Sequence, residues 1–330
     1  MINLRFSLRL PARDLDAQQL AAARSDLFRT AVDMAAWGEE HGCVAATISE
    51  HHSSPDGYLP SPLIVAGAMA SRTKSMPIVI AALLGLLYDP VRLAEDLSIL
   101  DHLSRGRVFS VIGMGYREEE YGLFGVDSST RGQQMDALLS FLRGAWTGQP
   151  VDVAGRGSFA ITPPPYTPGG PPLGYGGHSL AAARRAARHS LIFLAEAGGD
   201  HLRDAYEAEA RRIGIEPAGC QLAPVDSATT VFVADDPEAA WDELGPSMLH
   251  EIRLYREWNQ AAGKVGIASL SDADSVDELR VEGRGYRIYS PEQAAAVIAN
   301  GGVLNLEPLC GGLAPERAWT YFETAARALQ

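Results

Sequence analysis

The stretch IVIAALLGLLYDPVRLAEDLSILDHLSRGRVFSVIGMG, residues 78–115, decides the fold. Its apolar first part, residues 78–86, predicts a buried strand, and Asp89 followed by Pro90 predicts the start of a helix. The residues expected on the buried face of that helix are Val91, Ala94, Leu97, Ile99, Leu100 and Leu103. Gly106 ends the helix, and residues 107–115 predict a second strand. This order is typical of a parallel sheet covered by helices.

The same alternation continues along the rest of the chain. Strands are predicted at residues 2–10, 43–49, 78–86, 107–115, 173–177, 191–197, 221–234 and 303–309. Helices are predicted at residues 25–41, 61–73, 89–106, 130–147, 179–188, 201–213, 237–262, 291–300 and 315–329. Eight strand–helix units are the number that a (β/α)8 TIM barrel requires. We therefore predict an α/β fold with a single barrel domain over residues 1–330.

Two segments depart from this alternation. Residues 151–172 are rich in proline and glycine and are expected to form an excursion over the mouth of the barrel. Residues 263–285 are polar and predict an irregular insertion. Both segments are expected to shape the substrate pocket, so the substrate itself cannot be read from the barrel pattern.

Composition disfavours several classes of function. The 330 residues carry a formal net charge of −13, which opposes binding to nucleic acid or to an anionic membrane. The one dense basic group, Arg184, Arg185 and Arg188, has helical spacing and is interpreted as a solvated face. Three distant cysteines predict neither a disulfide framework nor a zinc site. The N-terminus lacks an apolar signal core, so we expect a cytoplasmic protein. No metal is expected, because the cysteines do not form a ligand motif.

In a TIM barrel the functional residues lie at the carboxyl ends of the strands. That rule selects a set of positions after the second, third, fourth, fifth and sixth predicted strands. They are Glu50, His51 and His52; residues 81–85; Gly113, Met114, Gly115 and Tyr116; Gly176, Gly177, His178 and Ser179; and Glu196.

The Gly176-Gly177-His178-Ser179 segment is the strongest candidate for a phosphate site. Two glycines allow the backbone to approach an anion, and Ser179 stands where a helix presents free amide groups. The alternative is that the glycines only permit a tight turn and Ser179 only caps the helix. The residues alone leave both interpretations open.

The Glu50-His51-His52 segment places polar chemistry directly after an apolar strand. Histidine exchanges protons near neutral pH, which makes this segment a candidate for acid–base chemistry. Adjacent histidines in an extended segment point to opposite faces, so a shared metal is not expected. Spacing alone favours a structural role, in which one histidine forms a wall and the other packs outward.

Several motifs stand in a specific order along the chain. They are Glu50-His51-His52, Ser61-Pro62-Leu63, DPVRLAED at residues 89–96, LDHLSRGR at residues 100–107, Gly115-Tyr116, FGVD at residues 124–127, GGHS at residues 176–179 and PLCGGL at residues 308–313. Their order and spacing resemble the bacterial-luciferase-like monooxygenase family. The strong part of the resemblance covers residues 43–130.

The resemblance implies a barrel that binds FMN, or in some branches the deazaflavin coenzyme F-420, and that usually forms a dimer. Ala81 and Ala82 match the site of a non-proline cis peptide beneath the flavin ring. Gly177, His178 and Ser179 match the phosphate-binding turn, and Arg131 is similar to an arginine that can bond to that phosphate. Glu50 and His51 match positions lining the flavin and substrate, with His51 the candidate for proton transfer.

The sequence also departs from luciferase itself. Gly113 stands where luciferase has a cysteine, which is expected to leave that side open, and Met114 stands where it has an arginine. Glu196 stands where relatives often carry an apolar residue; it could bind a polar substrate or pair with an arginine. Light emission is therefore not expected.

The leading hypothesis is a monooxygenase that uses reduced FMN and O2 on a small organic substrate. The reduced flavin would come from a flavin reductase or from NAD(P)H in the same pocket. The alternative is a deazaflavin-dependent dehydrogenase or reductase on the same barrel. A third hypothesis is a flavin-binding protein without turnover.

Overall fold

The computed structural model describes residues 1–12, 15–153, 155–196, 199–224, 227–263 and 271–328. The chain packs into two compact units. The first unit contains Met1–Ser61, Arg72–Ile78 and Val225–Gln330, and the second contains Pro62–Ser71 and Val79–Pro224.

Strands and helices alternate along the described residues, as the sequence predicts. The strands are β1 (Ile2–Phe6), β2 (Cys43–Ile48), β3 (Ile78–Leu84), β4 (Val108–Gly113), β5 (Val151–Val153), β6 (Gly157–Phe159), β7 (Leu173–Gly176), β8 (Ile192–Ala195), β9 (Cys220–Leu222), β10 (Thr230–Val233), β11 (Tyr286–Tyr289) and β12 (Leu304–Leu306). The helices are α1 (Ala17–Glu40), α2 (Pro62–Arg72), α3 (Pro90–Ser104), α4 (Glu118–Phe124), α5 (Arg131–Ala145), α6 (Leu180–Arg188), α7 (Asp200–Ile213), α8 (Pro237–Ala261), α9 (Val276–Glu282), α10 (Pro291–Ala299) and α11 (Pro315–Arg327).

The main strands of each unit form a parallel arrangement. In the first unit the strand order is β11-β10-β12-β1-β2, and the described pairs are parallel. In the second unit the order is β3-β4-β7-β8-β9, and β4, β7, β8 and β9 pair in parallel. Parallel neighbours bring their carboxyl ends to the same edge, which is where each unit carries its candidate residues.

Helix α3 shows how local sequence sets an element. The Asp89 side chain accepts hydrogen bonds from the backbone N–H groups of Val91 and Arg92, and Pro90 occupies the first turn. The expected burial of Ile99 and Leu103 is wrong, because these side chains are 46% and 56% exposed. They share the outer face of the helix, opposite the buried Leu93, Ala94, Leu97 and Leu100.

Strand β1 divides its residues between two environments. Ile2, Leu4 and Phe6 are fully buried apolar side chains on one face. Arg5 lies on the other face, and Ser7 and Arg9, which follow the strand, are buried polar residues. These residues belong to a polar network inside the first unit, described below.

Several boundaries differ from the sequence prediction. Helix α1 begins at Ala17, eight positions before the predicted 25, because Asp16 and Gln19 form a capping box there. The predicted strand 221–234 is two strands, β9 and β10. The predicted irregular insertion contains the capped helix α9, and β11 follows it; residues 264–270 of that insertion lie outside the described residues.

The predicted excursion over the barrel mouth is wrong for the later part of residues 151–172. The Thr167 backbone N–H and hydroxyl donate to the Asp101 carboxylate at 2.6 and 3.0 Å, and His102 bonds to the Pro164 carbonyl at 2.9 Å. Asp101 and His102 lie in the last turn of α3, beside the start of β4. This part therefore packs at the amino end of the strand, although the β5–β6 ribbon contacts Asp89 through Arg156.

No helix among the described residues combines the length and the apolar character needed to cross a membrane.

Candidate active site

The second unit brings the predicted cofactor residues of two neighbouring strands to one edge. Ile112 of β4 pairs with Tyr175 of β7, so Gly113 and Gly176 each follow one residue further on adjacent strands. The Gly177 N–H then donates to the Leu194 carbonyl of β8 at 3.1 Å. The glycine turn therefore begins where three parallel strands end.

Ala82 and Gly113 pack directly against each other in this unit. The Ala81–Ala82 peptide is cis, at the position that the family resemblance indicates. A Cβ added to Gly113 would lie 2.7 Å from Ala82 Cβ, which is closer than real Cβ contacts. The expectation that Gly113 leaves an open side is therefore wrong, because Ala82 fills the space that a side chain at 113 would need.

Residues 176–179 form the turn that leads from β7 into α6. The Ser179 hydroxyl accepts the Ala182 N–H at 3.1 Å and caps the helix. Helix geometry leaves the N–H groups of Leu180 and Ala181 without an acceptor inside the helix. His178, Ser179 and Leu180 are exposed. The turn therefore caps α6 through Ser179, and the first amide groups of that helix have no acceptor within it; the phosphate interpretation stays a prediction.

The loop after β4 and the start of α5 carry the remaining predicted cofactor residues. Gly115 has a φ of 80°, a conformation suited to glycine, and Tyr116 is half-buried. Arg131 is the first residue of α5 and is 46% exposed. Its guanidinium lies 3.5 Å from the exposed Glu118 carboxylate, so a bound phosphate would compete with this surface ion pair.

The interpretation of Arg184, Arg185 and Arg188 as one solvated face is wrong for Arg185. Arg184 and Arg188 are exposed, but Arg185 is buried. Its guanidinium bonds to Asp136 of α5. The spacing of charges along α6 does not indicate that Asp136, on another helix, lies opposite Arg185.

Glu196 follows β8 and is exposed. The two residues after it lie outside the described part of the chain.

In the first unit, Glu50 and His52 form a buried pair after β2. His52 Nε2 and Glu50 Oε1 lie 2.8 Å apart, and both side chains are nearly inaccessible. His51 points elsewhere: its ring lies 5.0 Å from that of Tyr58 and 4.9 Å from that of Trp258. The alternation expected for an extended segment is therefore present, with Glu50 and His52 on one side and His51 on the other.

Arg9 lies against the same aromatic residues and is fully buried. Its guanidinium carbon lies 4.4 Å from the Tyr58 ring centre, 4.7 Å from that of Tyr255 and 5.5 Å from that of Trp258. Asp56 approaches it at 3.5 Å and Glu251 at 3.9 Å. Burial alone would lower the pKa of Arg9, but Tyr255 and Glu251 raise it above its ordinary value, so the side chain stays charged.

Behind Arg9 lies a buried acidic cluster of Glu251, Glu307 and Cys310, whose ligand atoms lie within 4.8 Å of one another. Burial, and then the neighbouring Glu251, raises the pKa of Glu307. Arg9 lies 3.9 Å from Glu251, and Arg5 lies 3.9 Å from Glu307. Arg9 and Arg5 therefore place positive charge beside the carboxylates of this buried cluster.

The sequence prediction missed the aromatic residues around His51 and the roles of Arg9 and Arg185. Tyr255 and Trp258 lie on α8, about two hundred positions after His51, and their spacing of three residues was available as a sign of a shared helix face. Nothing in the sequence indicated which element that face meets.

The chain resembles a known family over most of its sequence and curated proteins over about half of it or less. A family model described as luciferase-like monooxygenase matches residues 5–295. The alkanal monooxygenase alpha chain of Photorhabdus luminescens is 24% identical over 176 residues, which are 52% of this chain and 49% of that protein. This chain spans about half, or less, of the length of the first curated relatives that it matches.

Three solved structures are similar over nearly the whole chain. Monooxygenase RslO1 from Streptomyces bottropensis has a TM-score of 0.73 at 20% identity, with 99% of this chain and 98% of that chain covered. The oxygenating constituent of 3,6-diketocamphane monooxygenase from Pseudomonas putida, in complex with FMN, has a TM-score of 0.69 at 20% identity, with 99% and 95% covered. An F-420-dependent secondary alcohol dehydrogenase has a TM-score of 0.63 at 16% identity, with 96% and 97% covered.

At these identities the likeness shows a shared fold. It confirms the predicted α/β fold of the (β/α)8 class. Because the family model covers most of the sequence, the chain belongs to the luciferase-like monooxygenase family.

Proposed function

We propose that this chain is a flavin-dependent monooxygenase that uses reduced FMN and O2 to oxidise a small organic substrate. The observation that carries the proposal is the turn at residues 176–179, which ends a strand of the second unit and presents the first amides of α6 outward. Helix amino-terminal amides bind phosphate groups, and FMN ends in a phosphate. The FMN complex of the similar Pseudomonas putida monooxygenase supports this choice of cofactor.

The residues of the turn suit a phosphate chemically. Gly177 has no side chain to block the approach of an anion, and Ser179 adds a hydroxyl beside the free amides of the first helical turn. The exposed Arg131 adds a cation that can form a charge-assisted bond. Ala81, Ala82 and Gly113 are small residues that would support the flavin ring, and Gly115, Tyr116, Gly176 and His178 are the other residues proposed to bind the cofactor.

His51 keeps the role of handling the proton of the reaction. When bound, reduced flavin supplies the two electrons needed to activate O2. The aromatic rings of Tyr58 and Trp258 pack against His51 and exclude water from it; His51 is 7% exposed. An imidazole within hydrogen-bond reach of the reacting group can act as a general acid or base. Glu50 supports the segment through its bond to His52.

Titration of the full-length apoprotein with FMN and with coenzyme F-420 tests the cofactor. We expect tighter binding of FMN, followed by consumption of O2 when FMN is reduced and a substrate is present. The substrates to screen are aldehydes, ketones, terpenes and amines. Preferential binding of F-420 would contradict the proposal.

A deazaflavin-dependent dehydrogenase or reductase is the second candidate, favoured by the likeness to the F-420-dependent secondary alcohol dehydrogenase. In that case reduction of F-420 by an alcohol would proceed without O2. A non-catalytic flavin-binding protein is the third candidate. It would bind FMN, but its O2 consumption would stay at background with every substrate, in the wild type and in His51→Ala alike.

The partners of the chain remain part of the proposal. We expect a cytoplasmic homodimer that receives reduced flavin from a reductase or from NAD(P)H. Analytical ultracentrifugation of the purified chain should give a species of twice 35.3 kDa. A single species of 35.3 kDa would contradict the dimer. We expect no binding to nucleic acid or membranes.

A further inference from the structure

Arg185 is a buried cation on the helix that follows the glycine turn. The residue is 6% exposed, whereas the neighbouring Arg184 is exposed. The other buried residues of α6 are all alanines: Ala182, Ala183, Ala186 and Ala187. These short side chains let the helix pack closely, so the long Arg185 side chain extends between elements of the second unit.

The Arg185 guanidinium bonds to three separate places. Nε and Nη2 donate to the two oxygens of Asp136 at 2.9 and 3.3 Å. Nη2 also donates to the Gly132 carbonyl at 3.2 Å, and Nη1 donates to the Tyr175 hydroxyl at 3.4 Å. The pair with Asp136 is bidentate, and two parallel bonds fix the orientation of a guanidinium more strongly than a single bond. Burial would raise the pKa of Asp136, but Arg185, His189 and Arg188 together outweigh it and lower that pKa, so the pair stays ionised.

Arg185 and two of its partners lie in the elements next to the turn at residues 176–179 and next to Arg131. Tyr175 is the last residue before the turn, α6 begins directly after it, and Gly132 follows Arg131 at the start of α5. A Cβ added to Gly132 would lie 3.1 Å from Arg185 Nη2, so a side chain at residue 132 would crowd the guanidinium. One side chain therefore connects the strand entering the turn, the helix leaving it and the helix that carries Arg131.

We propose that Arg185 is a positioning residue that holds the phosphate-binding turn and Arg131 in the arrangement that binds the flavin phosphate. This inference rests on the proposed function of the turn. Arg185 itself does not touch the cofactor, because its donors are occupied by Asp136, Gly132 and Tyr175. A lysine could not replace it, since a single ammonium group cannot reach three partners in a planar fork.

The test compares FMN with riboflavin, which has the same ring system and lacks the phosphate. Dissociation constants are measured for both flavins with the full-length wild type, Arg185→Met, Arg185→Lys and the exposed control Arg184→Met. We expect Arg185→Met to weaken FMN binding about 10- to 100-fold, the range that loss of charge-assisted bonds produces. Riboflavin binding should change by less than about 3-fold in Arg185→Met. The dissociation constant of Arg185→Lys for FMN should lie between those of the wild type and Arg185→Met, and that of Arg184→Met should match the wild type.

The two flavins separate failure of this inference from failure of the proposed function. A wild type that binds FMN and riboflavin equally would contradict the phosphate site itself. A wild type that prefers FMN, with the same preference in Arg185→Met, would overturn the role of Arg185. Equal loss of both flavins would also overturn it, because a general structural defect has that effect. If Arg185→Met does not fold, the test uses Tyr175→Phe, which removes only the bond between Arg185 and the Tyr175 hydroxyl. An unchanged preference for FMN over riboflavin in that variant would overturn the inference.

Discussion

Gly177 and Ala182 pack so closely that a Cβ added to Gly177 would lie 2.6 Å from Ala182 Cβ. Ala182 is also the residue whose N–H is capped by Ser179. The glycine is thus required both by the turn and by the helix that the turn begins. A side chain at 177 must move the turn away from α6 and disturb the amides proposed to bind phosphate.

Gly177→Ala should therefore weaken FMN binding, by about 10-fold or more, since at least one charge-assisted bond is displaced. Riboflavin should be affected much less. The matched control is Gly122→Ala, because Gly122 lies in helix α4 with no atom within 4 Å of an added Cβ. That variant should bind FMN normally and be more stable by up to about 1 kcal/mol. Unchanged FMN binding in Gly177→Ala would contradict the assignment of the turn.

His51→Asn should lower the rate of substrate oxidation without changing the dissociation constant for FMN. General acid–base groups contribute about 10²- to 10⁴-fold to rate, so a loss in this range is expected. The measurement is O2 consumption with reduced FMN and whichever screened substrate the wild type accepts. His201→Asn, which changes an exposed histidine on α7, is the control. A wild-type rate in His51→Asn would remove His51 from the proposed chemistry.

Arg9→Met should destabilise the fold strongly. Removal of the guanidinium leaves Asp56 and Glu251 buried without their compensating charge, which costs about 3–5 kcal/mol. Urea unfolding followed by tryptophan fluorescence measures the free energy of unfolding. Arg211→Met breaks an exposed ion pair with Glu207 and should change that free energy by less than about 0.5 kcal/mol. Equal effects of the two substitutions would show that the buried network contributes little.

Glu39 should make stability depend on pH in the acid range. Its carboxylate accepts the backbone N–H groups of Lys74, Ser75 and Met76 at 2.7, 2.5 and 2.6 Å. Partial burial opposes the charge, but these bonds outweigh it and lower the pKa of Glu39 from 4.5 to about 2. A carboxyl whose pKa is lower in the folded state stabilises the fold above its ordinary pKa and loses that contribution as pH falls toward 2.

The difference in melting temperature between the wild type and Glu39→Gln should therefore be largest at neutral pH and shrink as the pH falls below 4. Calorimetry between pH 7 and pH 2.5 measures this difference. Asp33→Asn changes an exposed acid on the same helix and should show little pH-dependent difference. A difference between the wild type and Glu39→Gln that stays constant with pH would contradict the assigned bonds.

The fold was predictable where local chemistry marks both ends of an element. Asp89, Pro90 and Gly106 predict helix α3, because capping and chain reversal depend on residues close together in sequence. The sequence does not predict the short α9, because only Leu279 of its seven residues is buried and no apolar periodicity results. The predicted exposure of Arg185 and the missed burial of Arg9 have another cause. The partners that bury them, Asp136 and Glu251, are distant in sequence, and only packing reveals them.

The candidate residues were predictable as strand-end positions, and their contacts were less so. The rule that function follows strand ends selected Glu50, Gly113 and Gly176 correctly as strand-end residues. Contact partners were beyond that rule. The close approach of Ala82 to Gly113 depends on neighbouring strands, and the aromatic residues around His51 come from a helix near the other end of the sequence.

A crystal structure of the full chain with FMN tests the central claim most directly. We expect the phosphate to accept hydrogen bonds from the N–H groups of the first turn of α6 and from the Ser179 hydroxyl, with Arg131 turned toward it. A phosphate bound away from residues 176–180, or density for FMN on a surface without these residues, would contradict the proposed function.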